Sequence, residues 1–264
     1  MAEPRADDAP PLALWVYGVV HGDAPDPPRR AGVDEHHAVE LVRHGGLAAV
    51  ASAVGLAEFR PEALEQRLED LDRVAALARA HQRVLDDTLR LGPVVPLPIC
   101  TICTSADRVR EMLDGEGPSL AEALRRLSGK AEWGVKAYLD AGRASPAQAA
   151  PAPRSGVDYL ARKRDERDAA DAARGAVDAI VELIDGGLRA LAVGAVLSPA
   201  QDPRLSGEER EMVLNAAYLV SEARTEDFHS RVRSLARRHA RDGLVLELTG
   251  PWPAYHFTGP AAAR

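Results

Sequence analysis

Hydrophobic residues in this chain switch between two periods, and each switch marks an element. Trp133, Val135, Ala137 and Leu139 fall on one side of an extended chain, with Glu132, Lys136 and Tyr138 on the other, the alternation of a half-buried strand. Leu12 to Val20 is a compact β-prone run, and the Pro-, Gly- and Asp-rich stretch from His21 to Gly32 follows it; a buried strand and then a surface loop are expected. Leu47 to Val54 predicts an Ala-dominated strand after a Gly45-Gly46 turn. From Pro61 to Leu91 the period lengthens. Leu64, Leu68, Leu71, Ala75 and Ala78 form one helical stripe, widened by Val74, Leu77 and Val84, with Gly92-Pro93 as its stop. His81 borders this stripe, where a histidine tucked against the core with one hydrogen bond outweighs a functional one.

Prolines at 93, 96 and 98 limit the next segment to an edge strand or extended loop. Two short helices are then expected. Ser105 caps the first, which buries Val109, Met112 and Leu113 and ends at Gly115; Ser119 and Glu122 box the second, which buries Leu120, Ala123, Leu124 and Leu127 and ends at Gly129. That punctuation divides the chain into an N-terminal α+β domain, residues 1–129, and a C-terminal one, residues 130–264. Within the second, 141–156 reads as a flexible Ala/Pro/Ser linker. Val157 to Asp185 is a long helix, charged at first, with Tyr159 and Leu160 expected to supply its early apolar contacts. Leu188 to Leu197 stays unassigned. Met212 to Val220, apolar on both faces, predicts a central strand. Thr225 is placed to cap a helix with Phe228, Val232, Leu235 and Ala236 inward, and Leu244, Leu246 and Leu248 form the last strand. The order has ferredoxin-like features, short of a full match because one element is not evident.

Composition narrows the function. Of 264 residues 46% are hydrophobic and 4% aromatic, and the net charge is −7, which gives no electrostatic reason to seek nucleic acid or anionic membrane. No run approaches the ~20 apolar residues that span a bilayer, and Met1 to Pro10 lacks the regions of a secretory signal; a cytoplasmic protein is expected. Cys100-Thr-Ile-Cys103 invites a redox or zinc reading, yet both cysteines precede the helix cap at Ser105 and no second ligand pair accompanies them. A Gly-rich phosphate loop, a nucleophile elbow and an H-E-x-x-H motif are all missing, so no enzyme, cofactor or metal is expected. The closing Trp252-Pro253-Ala254-Tyr255-His256-Phe257 offers large, stiff apolar area. It suits packing onto the domain itself or onto another protein.

Several separated stretches resemble one family. Glu132-Trp133-Gly134-Val135-Lys136-Ala137-Tyr138, Tyr159-Leu160-Ala161-Arg162-Lys163, Asn215-Ala216-Ala217-Tyr218-Leu219-Val220 and Leu248 to Phe257, with Trp15 to Val20 and His81-x-x-Val84-Leu85, are similar to the gas vesicle protein GvpL/GvpF family across almost the whole chain. One loop departs: where the family usually runs Pro-Leu-Arg-Phe-Gly-Thr, this chain has Pro96-Leu97-Pro98-Ile99-Cys100-Thr101, which puts that loop's family role in doubt and marks a diverged copy. Another departure is Ala254 in place of a second Pro. The resemblance implies a two-domain α+β protein whose C-terminal domain is a modified ferredoxin-like fold. It implies a non-catalytic accessory protein of gas vesicle assembly, in the cytoplasm with the vesicles, whose partners are the shell protein GvpA and other accessory proteins. Trp252, Tyr255, Phe257, Trp133 and Lys136 are the candidate partner contacts. The competing reading is a small-molecule-binding regulatory module of ferredoxin-like type.

Overall fold

The computed structural model describes residues 11–59, 70–140, 156–200 and 210–259. They form an α+β protein of two compact units, one comprising the chain up to Ala131 plus Trp252 onward, the other Glu132–Pro251. The expected division near Gly129 assigns the tail from Trp252 to the second domain, whereas its contacts group it with the first unit.

In the first unit β1 (Leu12–His21), β2 (Val39–His44), β3 (Leu47–Gly55), β4 (Val95–Pro96) and β5 (Ile102–Cys103) make one sheet in the order β2-β3-β1-β4, with β5 also on β1. The pairings of β1 with β3, β4 and β5 are all antiparallel. The register of β1 on β3 shifts between Val16 and Gly18, leaving Tyr17 as an extra residue, a β-bulge that re-aims a side chain. Strand β2 was not foreseen, because Glu40, Arg43 and His44 interrupt its alternation and only Val39 and Val42 are buried.

Helix α1 (Leu71–Leu89) starts at Asp70, whose carboxylate accepts from the Asp72 and Arg73 amides; the expected turns at 61–69 lie outside the described residues. Its buried face is Ala80, His81, Val84, Leu85 and Thr88: Val84 of the predicted stripe and His81 lie against the core as expected and Leu77 partly so, whereas Leu71 is 80% exposed and Ala78 is exposed. Two polar residues disguise that face. Each is bonded inside: His81 Nδ1 accepts from Trp15 Nε1 at 3.0 Å, although its Nε2 has no partner among the described residues, and Thr88 Oγ1 donates to the Val84 carbonyl at 2.8 Å.

The two expected short helices are one. Helix α2 (Ala106–Leu127) runs unbroken through Gly115 and Pro118. Ser105 caps it as predicted, accepting from the Arg108 amide, but Ser119 donates back to the Glu116 carbonyl in place of capping a second helix. Gly115 to Ser119 sit on the outer side while Val109, Leu113, Leu120, Ala123, Leu124 and Leu127 are buried, and this continuous apolar face, packed on β1, β2 and β3, holds the helix through its weak turn.

In the second unit β6 (Lys130–Leu139), α3 (Gly156–Arg189), β7 (Gly194–Leu197), β8 (Glu211–Ser221), α4 (Thr225–His239) and β9 (Leu244–Trp252) follow in that order, and the sheet runs β7-β8-β6-β9. The element missing from the sequence pattern is therefore β7, four residues long and too short to show a period. As expected, β8 is an inner strand, buried at Met212, Leu214 and from Ala216 to Val220. The expected linker lies outside the described residues up to 155. Tyr159 and Leu160 are exposed, at 46% and 69%, so they do not make the early contacts predicted for α3, which is anchored by Ile184 and Leu188 at its C-terminal end. Inward positions of α4 are Phe228, Val232 and Leu235 with His239, and Thr225 is its first residue, donating to the Ser221 carbonyl where a cap was expected.

Candidate interaction surfaces

The aromatic tail is held by backbone-directed contacts within the first unit. Arg126 of α2 donates through Nη2 to the carbonyls of Phe257, Thr258 and Gly259 at 2.9, 3.3 and 2.7 Å. Tyr255 donates its hydroxyl to Gln82 Oε1 of α1 at 2.9 Å. Nη2 carries two hydrogens, so the short bonds to Phe257 and Gly259 are the principal ones and the longer contact to Thr258 shares a hydrogen. Pro253 and Ala254 are buried beneath, Phe257 is half-buried, and Trp252 and Tyr255 keep 37% and 40% of their surface exposed. Neither Arg126 nor Gln82 could be singled out from sequence, since each is one of many polar residues on a helix.

The other two candidate contacts belong to the second unit. Trp133 is 9% exposed and meets the His229 ring edge-on with centroids 4.2 Å apart, so its area is spent on packing β6 against α4. Its Nε1 and His229 Nε2 are buried without a hydrogen-bond partner among the described residues. Lys136 is half-buried on the opposite side of β6 from Trp133. The five predicted residues thus do not converge within one unit.

Three clefts flank α1 in the first unit. The most apolar, about 230 Å³, is walled by Val20, Ala24, Pro25, Leu41, Val50 and Leu91 with His21 and Asp23 at its polar side. The others lie where the 27–35 loop faces Arg83 and its neighbours on α1. That loop is pinned by Tyr17, whose hydroxyl accepts from the Val33 amide at 2.8 Å and bonds Ser52 Oγ at 2.7 Å. Burial pushes the Tyr17 hydroxyl pKa up, and the two hydrogen bonds only partly offset this.

Burial shifts several titratable groups of the first unit. Burial lowers the His81 pKa to about 4, opposed by the nearby Leu97 carbonyl, which still falls outside hydrogen-bond geometry with Nε2. Burial also raises both Cys100 and Cys103 above the ordinary thiol range, the reverse of an activated thiolate. Cys100 takes a left-handed φ of 65° at the position where the family pattern places Gly. In the second unit Tyr218 donates to Asp185 Oδ1 at 2.7 Å while Arg189 Nε holds Oδ2 at 2.6 Å. Burial, and then the carboxylate, keep that hydroxyl protonated.

Residues 13–259 match the model of a family described as gas vesicle synthesis protein GvpL/GvpF. The chain belongs to the GvpL/GvpF family. Gas vesicle protein L of Streptomyces sp. (strain CB03234) is 37% identical over 245 residues, covering 91% of this chain and 86% of that protein. Gas vesicle protein F of the same strain is 28% identical over 262 residues, 93% of this chain and 99% of the other. The crystal structure of GvpF from Anabaena sp. PCC7120 superposes with a TM-score of 0.66 at 18% identity, over 96% of this chain and 98% of that one. GvpF from Microcystis aeruginosa gives 0.66 at 17%, over 94% and 99%. The fold is shared end to end with these GvpF structures. Among the described residues no helix of this GvpL/GvpF protein is long and apolar enough to cross a membrane.

Proposed function

We propose that this GvpL/GvpF protein is a non-catalytic accessory factor of gas vesicle assembly in the cytoplasm, binding the hydrophobic shell-forming subunit, GvpA, to support its incorporation and limit its aggregation. Family membership across residues 13–259 supplies the process. The structural observation that carries the binding role is the apolar surface left open in both units: Trp252 and Tyr255 at 37% and 40% in one, and Leu183, Val193 and Leu197 at 66%, 48% and 54% in the other. A subunit that assembles into a shell must present apolar surface and strand edges beforehand, and a soluble protein that covers them suppresses off-pathway association. We read the second unit, with its β-α-β-β-α-β order and β7-β8-β6-β9 sheet, as a modified ferredoxin-like domain.

The test is co-purification of a tagged chain with the shell-forming subunit, alongside vesicle yield in a strain lacking the gene. Capture of the subunit together with reduced yield is expected. Absence of capture with normal vesicles would overturn the reading.

A further inference from the structure

Among the described residues, the edge strands β2, β4 and β9 carry charges or prolines, whereas β5, only two residues long, carries neither. β2 carries Glu40, Arg43 and His44 and lies under α2. β4 contains Pro96, with Pro98 two residues on. β9 holds Glu247, tied to Arg210 at 2.9 Å, and Pro251. Charges and prolines on edge strands are how proteins prevent unwanted pairing. β7 is the longer unguarded edge: it lies in a run, Ala190 to Ala200, with no charged residue, and its strand Gly194-Ala195-Val196-Leu197 contains no proline, the first being Pro199 two residues beyond it.

The register shows what this edge offers. β7 pairs antiparallel with β8, Ala195 opposite Tyr218 and Leu197 opposite Ala216, and the Ser198 amide donates to the Asn215 carbonyl at 2.8 Å. In an antiparallel ladder alternate residues bond inward. With Ser198 inward, Val196 and Gly194 bond to β8 too, and the N–H and C=O groups of Ala195 and Leu197 point away from the sheet. Ala195 and Leu197 share the face on which Tyr218 meets Asp185 of α3 and Phe228 of α4; the alternation stops before Val193, whose amide donates at 2.8 Å to the carbonyl of Leu219, the partner of Gly194. At 54% exposure Leu197 would lie beside the side chains of an added strand.

We propose that β7 is the docking edge for an extended, uncharged apolar segment of the shell-forming subunit, which joins the second unit's sheet as a further strand through the backbone groups of Ala195 and Leu197. This rests on the shell-binding reading above. Charge favours that occupant over a second copy of this chain, since two copies would bring together molecules of net charge −7 each, whereas the uncharged edge suits an uncharged strand. Main-chain bonds give such strand addition its affinity, and the alternating side chains give its specificity.

The experiment titrates purified shell-forming subunit into the full-length, 15N-labelled protein and follows amide exchange, in the wild type and in the separate variants Ala195→Pro and Leu197→Lys. Ala195→Pro removes an outward N–H and spares the bonds to β8. Leu197→Lys adds an edge charge at an exposed site and serves if the proline variant misfolds. Slowed exchange at Ala195 and Leu197 on adding the subunit is expected, with binding at least tenfold weaker in either variant while the melting temperature stays near wild type. Wild-type affinity in the folded variants, or protection confined to another strand, would overturn the assignment. So would slow exchange at those two amides in the free protein, which would mean that the edge is already covered by its own chain or a second copy. If the wild type does not bind the subunit at all, the shell-binding reading falls and this occupant with it.

Discussion

His81 is 4% exposed and gives its Nδ1 lone pair to Trp15, which fixes the neutral ring with its proton on Nε2. Its folded pKa of about 4 lies below the ordinary 6.5. The unfolded chain therefore binds the proton first as pH falls. The stability contribution is complete above pH 6.5 and is lost between 6.5 and 4, by about 3 kcal/mol over the whole interval. Urea unfolding at pH 7 and pH 4.5 should show this slope, and His81→Phe should flatten it while costing about 1–3 kcal/mol at pH 7 by stranding the Trp15 N–H. Cys100 permits a backbone test. At φ 65° a Cβ is disfavoured by about 1–2 kcal/mol, so Cys100→Gly should be about 1 kcal/mol more stable than Cys100→Ala in paired thermal melts. Close approach decides a third position: a Cβ on Gly32 would lie 2.1 Å from Ser52 Oγ and 2.3 Å from the Tyr17 hydroxyl. Gly32→Ala should break that pair and cost about 1–3 kcal/mol in chemical unfolding.

Among elements, what the sequence made legible is what periodicity alone controls. β1, β3, β6, β8 and α4 could be read because most of their buried positions are apolar, although Glu132 and Tyr138, expected opposite Trp133 on the open side of β6, are buried as well, and the Ser105 cap could be read from residue type. Periodicity places α1 only in part, because Thr88, which the interior binds, counts as polar and Leu71 and Ala78, which stay exposed, count as apolar, while Val84 and His81 lie inward as expected. α2 was split because Gly115 and the Pro118-Ser119 pair look like a stop and a start, and only the sheet beneath shows that one apolar face runs through. The correction can be checked. A Cβ on Gly115 meets nothing within 4 Å and its backbone is helical, so Gly115→Ala should raise stability by about 0.5–1 kcal/mol; a left-handed helix end there would instead make the change destabilising. β2 and β7 escaped detection for opposite reasons, one broken by charges and the other too short. For the interaction surfaces, the exposed tail aromatics could be picked out by residue type, but Arg126 and the β7 edge depend on partners distant in sequence.

For the whole molecule, residues 252–259 group with the first unit and are held there by the Arg126 guanidinium together with the Tyr255–Gln82 bond. Arg126→Ala should release residues 252–259, seen as faster amide exchange there, at a cost of about 1–2 kcal/mol. The proposed role is that of a GvpL/GvpF protein whose open apolar surface on each unit covers a stickier partner. The direct measurement is light scattering as the purified shell-forming subunit is diluted from denaturant with and without an equimolar amount of this protein. Scattering should be suppressed with the protein present and return when an unrelated protein of equal charge replaces it; identical scattering in all three mixtures would contradict the account.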